Sequence, residues 1–148
     1  MSTKTSPKYD HSFQKIVFLR AQDPKGKLLL LGQICYLHFE RNEDLLLITS
    51  DEKMKQSVDD LLWRFSPTAF IPHMTDKSAT NEKICITATK ANITHATYIF
   101  NLTLEALIFP EPCRVIYEFE DNSNPSRQKL SQEKFKLYKE KKFLIELR

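Results

Sequence analysis

The run LLLITSDEKMKQSVDDLLWRF, residues 45–65, decides the fold of this chain. Residues 45–49 are apolar almost throughout, which is typical of a parallel strand covered on both faces. Ser50 and Asp51 then suit the start of a helix. That helix gathers an apolar stripe on one side, formed by Met54, Val58, Leu61, Leu62 and Phe65. A strand leading straight into an amphipathic helix predicts an α/β unit.

Trp63 lies roughly opposite this apolar stripe, at about 100° per residue. An indole on the polar side, followed by Phe70, Ile71 and Pro72, suggests a surface that another protein covers. The alternative is that Trp63 lies under its own chain, with Phe70 folded back on it. Geometry alone leaves both interpretations open.

The same pattern extends in both directions from this run. A buried strand is predicted at 15–21 and a helix at 25–43, with Pro24 in its first turn. Residues 67–81 are predicted to be mostly loop. Further strands are expected at 83–89, 96–102 and 113–120, a last helix at 125–142 and a short edge strand at 143–147. The connection at 90–95 suits a hairpin or a jump between edges, and the strand at 113–120 a half-exposed position.

These elements predict a flexible leader at 1–13 and a single domain at 14–148. The fold class is α/β: a Rossmann-like three-layer α/β/α domain with a mostly parallel mixed sheet. No apolar run approaches the roughly 20 residues that span a membrane, and no signal segment is recognisable, so a cytoplasmic protein is expected. Three separated cysteines in apolar segments indicate buried thiols.

The sequence lacks the usual components of catalysis. Its two glycines, Gly26 and Gly32, form neither a dinucleotide-binding fingerprint nor a P-loop, so no nucleotide-binding loop and no cofactor are expected. The histidines and cysteines have no metal-ligand spacing. His73 follows Pro72 in a loop, a position that suits a general base, but no convergent acid or nucleophile accompanies it in the sequence. It is therefore interpreted as capping a turn or hydrogen-bonding the backbone.

Charge is concentrated at one end of the chain. The formal net charge is +3, too small to indicate a protein that binds duplex DNA, yet residues 121–148 hold eight Lys or Arg against four acids. Phe135 lies beside Gln132, Lys139 and Lys142 on the last helix, whereas Tyr138 can face the sheet. An aromatic ringed by lysines suits an acidic peptide with an apolar end. Alternatively, Phe135 covers the tail at Phe143.

Residues 51–73 closely resemble the chi subunit of bacterial DNA polymerase III. The motifs are DEK at 51–53, LW at 62–63 and FSPTAFIPH at 65–73, with supporting matches in FNL at 100–102 and FKLYKEKKF at 135–143. The resemblance spans about residues 15–145 in the same order.

The resemblance implies a non-catalytic accessory subunit in DNA replication. Chi proteins bind the psi subunit one to one, which ties them to the clamp loader, and the acidic C-terminal tail of single-stranded DNA-binding protein. No direct specific DNA binding is expected. By this resemblance, the residues facing psi would be Trp63, Phe70, Ile71 and Pro72. The residues receiving the tail would be Arg127, Lys129, Lys134, Phe135, Lys136, Lys139 and Lys142.

This chain departs from the family pattern in its last helix. Gln128 and Gln132 stand where some relatives have basic residues, Phe135 lacks a tyrosine hydroxyl, and Lys142 stands where a glycine usually ends the helix. Two other hypotheses are a nucleotide-binding or hydrolytic enzyme and a direct binder of single-stranded nucleic acid. The missing glycine loop argues against the first, and the single interleaved aromatic against the second.

Overall fold

The computed structural model describes residue 11 and residues 13–65, 71–76 and 82–148. The elements are β1 (Lys15–Ala21), α1 (Pro24–Glu40), β2 (Leu45–Ile48), α2 (Glu52–Trp63), β3 (Met74–Thr75), β4 (Ile84–Thr87), β5 (Tyr98–Asn101), β6 (Val115–Asp121), α3 (Pro125–Glu140) and β7 (Leu144–Leu147). Among the described residues, no helix is both long and apolar enough to cross a bilayer.

The seven strands form one sheet in the order β3-β4-β2-β5-β6-β1-β7. Every described strand pair is parallel. Val17 and Leu19 pack with α1 and α2 on one face, and Ile16 and Phe18 pack with α3 on the other. The predicted three-layer α/β/α fold with a mostly parallel sheet is therefore confirmed.

Polar caps set where the three helices begin. Asp23, Asp51 and Asn124 each accept a hydrogen bond from the backbone N–H three residues later, at 2.6, 2.8 and 2.9 Å. Pro24 and Pro125 occupy the first turns, where a missing N–H costs nothing. The sequence signals for the helix starts are thus confirmed.

Gly32 lets α1 pack directly against Phe65, two residues past the end of α2. A Cβ atom at position 32 would lie 1.9 Å from Cε1 of Phe65, far inside van der Waals contact. The glycine is therefore needed for close packing and not for a phosphate-binding loop.

Two predictions for individual strands were wrong. β3, of two residues, lies in the segment that was predicted to be mostly loop, and it is too short to show a pattern of its own. β4 and β5 flank β2 in parallel, so their connection is neither a hairpin nor a jump between edges. β6 lies between β5 and β1, and its Glu118 is fully buried. The edge strand predicted near the C-terminus is confirmed as β7.

Both long helices end earlier than predicted. Past the helix ends, Asn42 and Lys142 adopt φ angles of 56° and 69°, which turn the chain out of the helical path. Residues 1–10 and 12 of the predicted leader lie outside the described residues. His11 stacks on Phe143, with ring centroids 4.5 Å apart.

Candidate functional site

Trp63 is the last residue of α2, and its indole lies on the outer side of the helix. Half of the residue is exposed, whereas Val58 and Leu62 of the same helix are buried. The indole packs on one side against His73, with ring centroids 4.9 Å apart. The indole therefore reaches the surface, whereas Phe70, on which the alternative interpretation of Trp63 depends, lies outside the described residues.

His73 is held on both ring nitrogens. Its Nδ1 lies 2.6 Å from the carbonyl oxygen of Ile71, and its Nε2 lies 2.7 Å from a carboxylate oxygen of Asp59. The backbone contact was predicted. The acid was missed, because Asp59 lies on α2 and reaches His73 only through the fold. No described nucleophile joins this pair, so the arrangement orients the ring on which Trp63 lies.

The four residues expected to face psi have different environments. Trp63 is exposed and Pro72 is half-buried, so both reach the surface. Ile71 is wrongly placed in that set: it is 0% exposed, and its N–H donates to the carbonyl of Leu62 at 3.0 Å. Its side chain belongs to the core between the sheet and α2. Phe70 lies outside the described residues. Trp63, Pro72 and the underlying His73 are called the Trp63 surface below.

A cavity, called the α3 pocket below, lies between α3 and the sheet. It has a volume of about 280 Å³ and is lined by Phe18, Glu120, Asn122, Gln128, Ser131, Gln132, Phe135 and Leu147. Phe135 is half-buried and packs on Phe18, with ring centroids 5.7 Å apart. The residue therefore forms a pocket wall. Phe143 packs on Tyr138, and Phe135 adjoins the apolar cluster that contains both.

The exposed lysines on and just after α3 do not line the α3 pocket. Lys129, Lys136, Lys139 and Lys142 are exposed, and none of them is among the described residues that line the cavity. Arg127 lines a different crevice, with Lys27 and Asp121. Any attraction these groups exert on a bound anion is therefore a rim effect, screened by salt.

Lys134 is wrongly placed in the predicted tail-binding set, because its ammonium is inside the protein. Its Nζ donates to Glu118 at 2.8 Å and to the carbonyl of Thr103 at 2.7 Å. The Tyr138 hydroxyl donates to the other carboxylate oxygen of Glu118 at 2.6 Å, as does the Asn101 amide at 2.8 Å. This buried polar network links α3 to β5 and β6.

The crevice between the first turns of α1 and α3 is filled by an ion pair. Lys27 Nζ lies 2.8 Å from Asp121 Oδ2. Burial alone would raise the pKa of Asp121, but hydrogen bonds from Lys27 and Ser123 outweigh it and hold the pKa below its usual value. The remaining space is about 50 Å³, against roughly 300 to 1,000 Å³ in typical small-molecule sites. A nucleotide does not fit there.

The cysteines are buried free thiols, as predicted. Burial raises the pKa of Cys85 to about 11 and that of Cys113 to about 12, and it raises the pKa of Cys35 further still. None is therefore prepared to act as a thiolate nucleophile. The described residues contain no group of three or more His, Cys, Asp or Glu side chains placed to hold a metal ion.

Comparison with known proteins now decides the family. The family model for the DNA polymerase III chi subunit, HolC, matches residues 13–146. The chain belongs to the DNA polymerase III chi subunit family. A chi-family relative, DNA polymerase III subunit chi of Pseudomonas aeruginosa strain PAO1, is 25% identical over 125 residues, which are 84% of this chain and 87% of the relative. Chi-family proteins are accessory subunits of a replicative polymerase and not its catalytic subunit.

Proposed function

We propose that this chi-family protein is an adaptor between the clamp loader and single-stranded DNA-binding protein. The psi subunit would bind one to one at the Trp63 surface, and the acidic C-terminal tail of single-stranded DNA-binding protein would bind at the α3 pocket. The observation that carries the proposal is the placement of the two surfaces, since α2 and α3 cover opposite faces of one sheet. Two partners can then be held at once without contacting each other.

The Trp63 surface has the features of an interface anchor. Trp is enriched at the residues that dominate binding energies, and a rigid ring held in place costs little entropy when it is covered. Here the His73 ring, fixed at both nitrogens, supports one side of the indole. Pro72, which precedes His73 in the sequence and is half-buried, adds a second rigid apolar group. This surface thus offers a partner a preorganised aromatic side chain.

Co-purification with psi tests this surface. Trp63→Ala should weaken psi binding by about 30-fold or more, which corresponds to the roughly 2 kcal/mol of an interface anchor. The matched control is Tyr36→Ala, because Tyr36 is also a partly exposed aromatic on a helix of this face. Equal retention of psi by both variants, or unfolding of the Trp63 variant, would contradict the assignment.

The α3 pocket combines an apolar interior with lysines beyond its rim. Phe18, Phe135 and Leu147 can receive one apolar side chain, and the exposed Lys136 and Lys139 can attract the acidic residues before it. This arrangement fits a peptide that is acidic and ends in an apolar residue. The assignment of the tail to this pocket rests on that complementarity.

Binding of a labelled acidic peptide that ends in phenylalanine, followed by fluorescence anisotropy, tests this pocket. Phe135→Ala should weaken binding, and Lys139→Glu should do so more strongly at low salt than at high salt. Lys53→Glu on α2 is the control, with the same charge change at an exposed position on the opposite face. If Lys139→Glu and Lys53→Glu change the affinity equally, the tail does not bind along α3.

A further inference from the structure

The α3 pocket has an unexpected charge at its rim. Glu120 is the one charged side chain among the described residues that line it, and α3 contributes Gln128 and Gln132. An acidic rim opposes a ligand that ends in a carboxylate. A cation close to the rim is therefore needed if such a ligand is to bind.

Arg20 is that cation. It lies opposite Glu120 in the register between β1 and β6, and its Nε donates to Glu120 Oε1 at 2.9 Å. Both side chains lie on the α3 face, since Phe18, two residues before Arg20, belongs to the core under α3. The Arg20 side chain is 58% exposed, so a ligand can reach it.

A guanidinium has five N–H donors in a planar arrangement that matches a carboxylate. The bond to Glu120 uses Nε and leaves donors on the terminal nitrogens for a second carboxylate. The terminal carboxylate of a peptide whose last side chain fills the α3 pocket would lie near this edge. There it would meet Glu120, which already occupies part of the guanidinium.

We propose that Arg20 receives the terminal carboxylate of an acidic peptide bound in the α3 pocket, and that Glu120 competes with that carboxylate for Arg20. This inference rests on the proposed tail-binding function and deepens it. Arg20 supplies a positive charge to a pocket where α3 has Gln128 and Gln132, and Glu120 limits the affinity for the peptide.

The two halves of the proposal predict opposite effects. Arg20→Gln should weaken the acidic peptide ending in phenylalanine by about threefold to fivefold, and Glu120→Gln should strengthen it by a similar factor. The same peptide with an amidated C-terminus should bind wild type and both variants equally. Anisotropy titrations at one fixed salt concentration give all of these affinities.

The chain supplies matched controls on the same strand and its neighbour. Lys15 and Glu146 form an ion pair of 3.1 Å, and Lys15 alternates to the opposite face of β1 from Arg20. Lys15→Gln and Glu146→Gln therefore make the same charge changes away from the pocket, and neither should alter the peptide affinity. These controls separate a specific contact from a change in net charge.

The outcomes distinguish this inference from the proposed function. Binding that depends on Phe135 but responds equally to Arg20→Gln and Lys15→Gln overturns the role of Arg20 and leaves the tail site standing. A gain from Glu120→Gln that persists with the amidated peptide overturns the competition. If wild type does not bind the peptide, both the tail site and this inference are wrong.

Discussion

Lys134→Met should destabilise the protein strongly, because it leaves the Glu118 carboxylate buried without a cation. Glu118 is fully buried, and Lys134 Nζ lies 2.8 Å from it. Breaking one partner of a buried ion pair typically costs about 3 to 5 kcal/mol. For a domain of this size that loss corresponds to a fall in melting temperature of roughly 6 to 20 °C.

The loss should depend on pH in a defined direction. Burial raises the pKa of Glu118 above its ordinary value of 4.5, and the Lys134 ammonium opposes that rise. Without the ammonium, the folded-state pKa rises further. Protonation of Glu118 then favours the folded variant. The difference in the free energy of unfolding between wild type and variant should therefore shrink as pH falls from 7 to 5 and grow as pH rises through the folded-state pKa.

Urea unfolding followed by circular dichroism measures both effects. Lys134→Met combined with Glu118→Gln should recover most of the loss, because no buried charge remains. Lys15→Met is the control, since it breaks an exposed pair worth about 0 to 1 kcal/mol. If Lys134→Met costs no more than Lys15→Met at pH 7, the buried ion pair does not exist as described.

Three further changes test other parts of the structure. Gly32→Ala should lower the free energy of unfolding by about 1 to 2 kcal/mol, because its Cβ would overlap the Phe65 ring; a urea midpoint at or above wild type would contradict that packing. Lys142→Gly should raise the same quantity by about 1 kcal/mol, since φ is 69° there; a lower urea midpoint would contradict this backbone argument. His73→Ala should weaken psi binding severalfold in a pull-down, because the indole of Trp63 loses its support; unchanged binding in a folded variant would refute that role.

The layers of the fold could be predicted because local signals and the global fold agree. The apolar runs of β1 and β2 and the caps at Asp23, Asp51 and Asn124 each specify an element without reference to the rest of the chain. Helical periodicity placed Trp63 away from the apolar stripe of α2, and the residue is half exposed there. Strand order and the two-residue β3 depend on contacts between distant segments, which periodicity does not encode.

The candidate sites were less predictable because periodicity gives the direction of a side chain but not what covers it. In the sequence, nothing distinguishes Lys134 from the other lysines of the last helix. Only the fold brings it to Glu118, sixteen residues earlier. Arg20 had no signal, because its partner Glu120 is one hundred residues away. One feature of the sequence hinted at the buried pair. Glu118 lies at the centre of strand β6, and a helix containing several lysines follows that strand.

Simultaneous occupancy tests the central claim most directly. The acidic peptide ending in phenylalanine is titrated by calorimetry into this protein alone and into its complex with psi. The adaptor account predicts equal affinities in both titrations, loss of psi alone in Trp63→Ala, and weakening of the peptide alone in Arg20→Gln. Competition between psi and the peptide, or loss of both partners in either folded variant, would contradict two separate surfaces on opposite faces of the sheet.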